Sequence, residues 1–227
     1  MAKVFDIHVA EIASMIDHSL LRPDLDRGRL EAGAAMAAEL GVATVCCMPC
    51  FVGRCAEILR GSGTAASTVI GFPLGYVSTA IKLAEAREAL DAGAAELDAV
   101  VNVSAVLSDD LAAVDAEVAA LVELVHGRGA RLKLIFENCL LNDARKLRLC
   151  SLCAERGVDW IKTSTGFGAD GATIADVRLM RAHYPAHLGV KAAGGIRSIN
   201  DLLAFKRAGA DRIGTSATRD ILAQISR

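Results

Sequence analysis

Gly189-Val190-Lys191-Ala192-Ala193-Gly194-Gly195-Ile196-Arg197-Ser198 reads as a short strand that turns on two glycines and opens a helix. One unit earlier, Asp159-Trp160-Ile161-Lys162-Thr163 is a second such strand, followed by a helix that Thr173-x-x-Asp176 would cap as Ser198-x-x-Asp201 caps the next. Working outward, β-branched runs recur at Met15–Leu20, Ala43–Met48, Ser67–Phe72, Glu96–Val101, Arg131–Glu137 and Asp211–Gly214, which makes eight candidate strands in all. Helix-period stretches lie between them, among them Thr79–Ala92, Leu111–His126, Asp143–Arg156, Ile174–His183 and Ile199–Ala208. Gly93-Ala94, Gly129-Ala130 and Gly209-Ala210 supply helix stops. Asp98, Lys133, Lys162, Lys191 and Ile213 stand 35, 29, 29 and 22 residues apart, one βα unit each. Such repeats require parallel strands and right-handed crossovers. Eight of them in 227 residues predict a closed (β/α)8 barrel of the TIM type, with an open doubly wound sheet as the alternative. The absence of a linker or a composition shift makes residues 1–227 one domain, with residues 1–14 forming a short extra helix before the first strand.

The composition narrows the function. Hydrophobic residues make up 53% and charged residues 23%, enough apolar surface to exclude a disordered chain. A net charge of −2 gives no basic excess for a nucleic-acid backbone. The longest uncharged stretch, 61–81, is broken by Gly, Ser, Thr and Pro, whereas a membrane span needs about 20 mostly apolar residues. No apolar leader precedes Glu11, so a cytoplasmic location is expected. Seven cysteines include Cys47-x-x-Cys50 and Cys150-x-x-Cys153, which would suit a four-thiolate zinc site if the pairs met. Each pair sits in an apolar periodic pattern, however, and core packing is the expectation.

Charged residues fall where buried parallel strands should be apolar: Asp17, Asp98, Lys133, Glu137, Lys162 and Lys191. Lysines that guard sheet edges have no place in a closed barrel. An internal ion pair, for example between Lys133 and Asp98, accounts for part of the set. Two lysines near the C-terminal ends of neighbouring strands point to catalysis, because that is where barrel active sites lie. A free lysine titrates at about 10.4 and is a poor nucleophile at neutral pH. A neighbouring ammonium and partial burial both disfavour its protonation, leaving an amine able to form a Schiff base with a carbonyl. Asp98 with a bound water would then shuttle protons, and neither a metal nor a cofactor is required.

Gly194-Gly195 and Gly214-Thr215-Ser216 follow the last two strands and open helices, the usual place for phosphate in a barrel. Tight turns are the plainer explanation of the same glycines. Gly166-Phe167-Gly168-Ala169-Asp170-Gly171 fits a dinucleotide fingerprint, but no Asp or Glu occurs from Val177 to Asn200 to hold a ribose. His183 and His187 are separated by Pro185 and are expected in a surface turn.

Ile16-Asp17-His18-Ser19-Leu20-Leu21, Val69-Ile70-Gly71-Phe72-Pro73-Leu74-Gly75 and Glu96-Leu97-Asp98 resemble the deoxyribose-phosphate aldolase family. So do Trp160-Ile161-Lys162-Thr163-Ser164-Thr165-Gly166-Phe167 and Val190-Lys191-Ala192-Ala193-Gly194-Gly195-Ile196-Arg197, and the match runs in order from about residue 12 to 225. The resemblance implies a class I aldolase, a lyase that reversibly cleaves 2-deoxy-D-ribose 5-phosphate to D-glyceraldehyde 3-phosphate and acetaldehyde. It implies Lys162 as the Schiff-base lysine, Lys191 as the neighbour that lowers its pKa, and Asp98 as the proton relay. Asp17 and Lys133 would be polar pocket residues, and Thr165 would face the sugar hydroxyls. Cys46 would line the pocket, and Gly166, Gly194, Gly195, Gly214 and Ser216 would cradle phosphate. It further implies small-molecule partners only, a cytoplasmic homodimer or homotetramer, and a place in deoxynucleoside breakdown. The chain departs from the family at Asn138, where threonine is common, and at Ala217, Thr218 and Arg219, where serine or glycine is more usual after Ser216. Those departures keep open the same chemistry on a different or unphosphorylated acceptor. A thiol or zinc protein and a metal-dependent phosphosugar epimerase are the other readings. The converging lysines argue against the epimerase, and elemental analysis for zinc would decide the thiol or zinc reading.

Overall fold

The computed structural model describes residues 8–225. Eight strands, β1 (Ile16–Leu20), β2 (Thr44–Cys47), β3 (Ala65–Ile70), β4 (Glu96–Val100), β5 (Arg131–Ile135), β6 (Trp160–Lys162), β7 (Gly189–Ala193) and β8 (Arg212–Thr215), close into a barrel in chain order. Every neighbouring pair is parallel, and β8 returns to β1 through Ile16 opposite Ile213. The doubly wound alternative is thereby excluded. Helix α1 (Val9–Ala13) precedes β1, which accounts for part of the expected extra helix; residues 1–7 lie outside the described residues.

The outer layer comprises α2 (Arg27–Glu39), α3 (Val52–Leu59), α4 (Thr79–Asp91), α5 (Val103–Leu107) and α6 (Leu111–Gly127). It continues with α7 (Asp143–Arg156), α8 (Ile174–Ala182), α9 (Ile199–Ala208) and α10 (Thr218–Ala223). Thr173 accepts from the Asp176 N–H at the start of α8, and Ser198 and Asp201 form a reciprocal capping box on α9. Gly209 closes α9 in the left-handed region at φ 106°, a conformation that disfavours a side chain.

Strand alternation sorts the barrel into two environments. Ile16, Val45, Ala66, Leu97, Leu132, Leu134, Ile161, Val190 and Ile213 belong to the apolar core between strands and helices. The intervening positions, Asp17, Glu96, Asp98, Lys133, Lys162, Lys191 and Arg212, meet one another inside the barrel. Apolar side chains usually fill that space. Here a buried ionic network fills it.

Candidate active site

Lys162 and Lys191 stand opposite each other in register on β6 and β7. Both are nearly inaccessible, at 3% and 1% exposure, and both donate to the same oxygen of Asp98, at 2.8 and 2.7 Å. The other Asp98 oxygen accepts from Lys133 at 2.8 Å. Lys191 also reaches Asp17 at 2.5 Å, and Lys133 reaches Glu96 at 2.6 Å. Arg212 donates to Asp17 at 2.5 Å and to Glu96 at 3.0 Å, and the Thr44 hydroxyl completes Asp17 at 2.8 Å. Trp160 closes the lower end, its ring 4.8 Å from the Arg212 guanidinium carbon and 5.8 Å from the Lys133 ammonium.

Counting charges decides which group gives way. Asp17, Glu96 and Asp98 supply three negative charges, while Lys133, Lys162, Lys191 and Arg212 offer four positive ones. The network balances when one cation is neutral. Lys162 is that one. Burial pushes its pKa below the ordinary lysine value and Lys191 pushes it the same way, against the opposing pull of Asp98 and, more weakly, Cys46. Burial also works against charge on Lys191, but two carboxylates, Asp17 and Asp98, outweigh it and raise its pKa. Burial would raise the Asp98 carboxyl, yet Lys133, Lys162 and Lys191 together hold it well below the carboxylate range. Asp17 is held low in the same way by Lys133, Lys191 and Arg212.

Above Lys162 and Lys191, at the C-terminal ends of the strands, lies a cavity of about 350 Å³. Asp17, Cys46, Lys162, Thr165, Gly166, Lys191, Gly194, Gly195, Gly214 and Ser216 all line it. Asp98 and Lys133 do not; both are fully buried beneath it. Lys133 therefore supports the floor of the pocket, and a direct contact with substrate has no geometric basis. The sequence reading also left out Ser19, Arg22, Phe167 and Arg197, which line the cavity, and Glu96 and Arg212, which complete the ionic floor. Arg197 stands inside a quoted motif and was the most legible of these. Arg212 opens β8, and nothing in its local sequence marks it as buried.

The glycine-rich segment after β6 packs backbone to backbone against the turn after β7. A Cβ on Gly171 would lie 2.3 Å from the Gly194 carbonyl oxygen, and the Ala172 N–H donates to the carbonyls of Ala193 and Gly194. That close approach explains the fingerprint-like glycines without a dinucleotide. At the expected phosphate end, the N–H groups of Gly195 and Ser216 meet no acceptor among the described residues. The amides that lead into α9 are already taken, since the Asp201 carboxylate accepts from the Arg197 and Ser198 N–H groups. Arg197 and Arg22 line the cavity mouth, and Arg22 is paired with Asp24 at 2.6 Å. Arg219 is exposed and does not line the cavity.

His183 and His187 are exposed around the Pro185 turn, as expected. The seven cysteines are free, and Cys46, Cys47, Cys55, Cys150 and Cys153 are buried. Among the described residues, no group of three or more His, Cys, Asp or Glu side chains is arranged to hold a metal ion, and no helix is long and apolar enough to cross a membrane.

A closed parallel barrel whose C-terminal mouth opens onto a buried lysine pair defines a (β/α)8 enzyme. Residues 12–224 match the DeoC/LacD family aldolase. The chain is 48% identical over 219 residues to a deoxyribose-phosphate aldolase of Rhodopirellula baltica, covering 96% of this chain and 91% of the relative. It is 47% identical over 208 residues to a Streptococcus pneumoniae protein of the same name, covering 91% and 93%. A tetrameric deoxyribose phosphate aldolase from Aeropyrum pernix superposes with a TM-score of 0.90 at 34% identity, covering 96% of this chain and 92% of that one. The chain belongs to the DeoC/LacD aldolase family and is a lyase.

Proposed function

We propose that the enzyme is a class I aldolase that reversibly cleaves 2-deoxy-D-ribose 5-phosphate to D-glyceraldehyde 3-phosphate and acetaldehyde. The observation that carries this reading is the unequal lysine pair: Lys162 shares one carboxylate oxygen with Lys191, whereas Lys191 also reaches a second carboxylate, Asp17, that Lys162 does not. The neutral Lys162 amine adds to the C1 aldehyde of the open-chain sugar, and loss of water gives the iminium. The C3 hydroxyl then loses its proton, the C2–C3 bond breaks, and its electron pair moves to the iminium to form an enamine. Glyceraldehyde 3-phosphate leaves. Protonation of the enamine at C2 and hydrolysis of the imine release acetaldehyde and restore the amine.

Asp98 bridges Lys162 and Lys191 with one oxygen and is too weakly basic at rest to store a proton. It serves as the carboxylate over which a proton passes between the lysines and a water in the cavity. Asp17 and Lys133 keep Lys191 and Asp98 charged from below. Phosphate would sit on the free N–H groups of Gly195 and Ser216, beside Gly166, Gly194 and Gly214 and under Arg197.

We read residues 1–227 as one catalytic domain that assembles into a homodimer or homotetramer, as the A. pernix relative forms a tetramer. Seven free cysteines suit a reducing cytoplasm, where deoxynucleoside breakdown would supply the substrate. One observation favours the second reading, an unphosphorylated acceptor: Asp201 occupies the α9 N-terminus where an anion would otherwise bind. Incubating the protein with 2-deoxyribose 5-phosphate and with 2-deoxyribose separates the two. The proposal expects equimolar acetaldehyde and glyceraldehyde 3-phosphate, with the phosphorylated sugar much preferred; equal turnover favours the second reading, and no acetaldehyde from either sugar sinks both.

A further inference from the structure

Glu137 follows β5 with its backbone in the left-handed region, at φ 55° and ψ 62°. Among the described residues only Asp109 is the other non-glycine with positive φ, and such strain persists where surrounding contacts over-determine it. The contacts here are specific. Glu137 is 4% exposed, and one carboxylate oxygen accepts the Thr165 hydroxyl at 2.5 Å while the other accepts the Thr165 N–H at 3.3 Å. Thr165 in turn accepts the Phe167 N–H at 3.0 Å, and the Phe167 ring packs edge-to-face on Phe72, centroids 5.2 Å apart. A Cβ on Gly168 would touch the Glu137 carboxyl carbon at 3.2 Å, so the segment after β6 folds closely over this side chain.

The hydrogen-bond inventory of Thr165 then has a chemical result. A threonine hydroxyl has one proton to give and two lone pairs. The proton goes to Glu137 and one lone pair to Phe167, which leaves a single acceptor site for the cavity that Thr165 lines. We propose that Glu137 is a positioning and specificity-determining residue: by holding the Thr165 proton, it makes Thr165 an obligate acceptor and selects substrates that bring a hydroxyl donor there. This rests on the aldolase reading above. In that reaction the oxygen on C3 alternates between hydroxyl and carbonyl and needs a partner that takes its proton in cleavage and returns it in synthesis, which Thr165, with no proton to give, cannot be. The hydroxyl on the neighbouring carbon, C4 of the sugar, stays a hydroxyl throughout. Thr165 serves that one.

The test runs in the synthetic direction, adding acetaldehyde to glyceraldehyde 3-phosphate or to 3-oxopropyl phosphate, which lacks only the hydroxyl in question. The readout is the ratio of the two kcat/KM values. Glu137→Gln gives the side chain an amide that donates back to Thr165 and frees the threonine proton. The ratio should fall about tenfold, the worth of one hydrogen bond, with the loss on the hydroxylated aldehyde. Thr165→Val should lower the ratio as far, and the double variant no further, because both changes remove one interaction. A ratio that stays in place, an equal loss on both aldehydes, or additive losses in the double variant would overturn the inference. Should the unsubstituted protein cleave no deoxyribose 5-phosphate, it is the functional reading that fails instead. If Glu137→Gln does not fold, Thr165→Val alone decides, and an unmoved ratio there is fatal.

Discussion

Lys162 and Lys191 carry the same side chain on facing positions of neighbouring strands, and their surroundings divide the charge between them. Lys191 meets two carboxylates and Lys162 shares one oxygen of one. Deleting the Lys191 charge removes a repulsion that lowers the Lys162 pKa. Lys191→Leu should therefore raise that pKa, move the activity optimum to higher pH, and lower activity at neutral pH on the order of 10²-fold, the scale of losing one preorganised electrostatic partner. A pH–rate profile that keeps its position would show that Lys191 is not that partner. At this scale the sequence showed the lysines and Asp98, because charges at buried strand positions stand out. It did not show the donor–acceptor bookkeeping, since which carboxylate a lysine meets depends on barrel register. Glu137 shows the same limit: it stood out only as a charge at the end of β5, and the left-handed backbone there turns it to Thr165.

The strands were legible to within a residue or two because their alternation and spacing are regular. Their ends were less so. β5 was expected to run to Glu137 but stops at Ile135, and β3 starts two residues early at Ala65. Helix α2 carries Gly28 and Gly33 and buries only Leu30, Ala34 and Ala37, too faint a stripe to read as a helix face. The β8–α10 turn is where element geometry bears on function. Ser216 lies at the cavity, and its N–H has no acceptor among the described residues. Ser216→Asp would set a carboxylate against a bound dianion at a cost of about 2 kcal/mol or more. The kcat/KM ratio of phosphorylated to unphosphorylated deoxyribose should then drop at least about tenfold. Equal slowing of both substrates would place the phosphate elsewhere. The cation that lines the cavity near this turn is Arg197; Arg219, one turn into the last helix, is exposed and does not line it.

Across the whole molecule, the charged interior ties stability to pH. His18 on β1 is buried and bonds Thr218 of α10 through Nδ1 at 2.8 Å, and burial lowers its pKa from 6.5 to about 4. Between those values the unfolded chain binds the proton that the folded chain refuses. Stability is thus lost as pH falls from 6.5 to about 4, by up to about 3 kcal/mol. The depressed Asp17 and Asp98 act lower: their contribution is complete above the ordinary carboxylate value of 3.8 and is lost as pH falls through their folded values. Chemical denaturation at a series of pH values should show both phases, and His18→Gln should remove the upper one alone. An unchanged upper phase in that variant would assign it to another group.

Lys162 is set apart from Lys133 and Lys191 by the weakest share of the carboxylates, the ground on which the nucleophilic amine is assigned to it. Borohydride reduction in the presence of deoxyribose 5-phosphate or acetaldehyde, followed by peptide mass mapping, tests that assignment most directly. The expected result is a stoichiometric reduced adduct on Lys162 and loss of activity in proportion to labelling. An adduct found mainly on Lys191 or Lys133, or turnover with no trapped lysine at all, would contradict it.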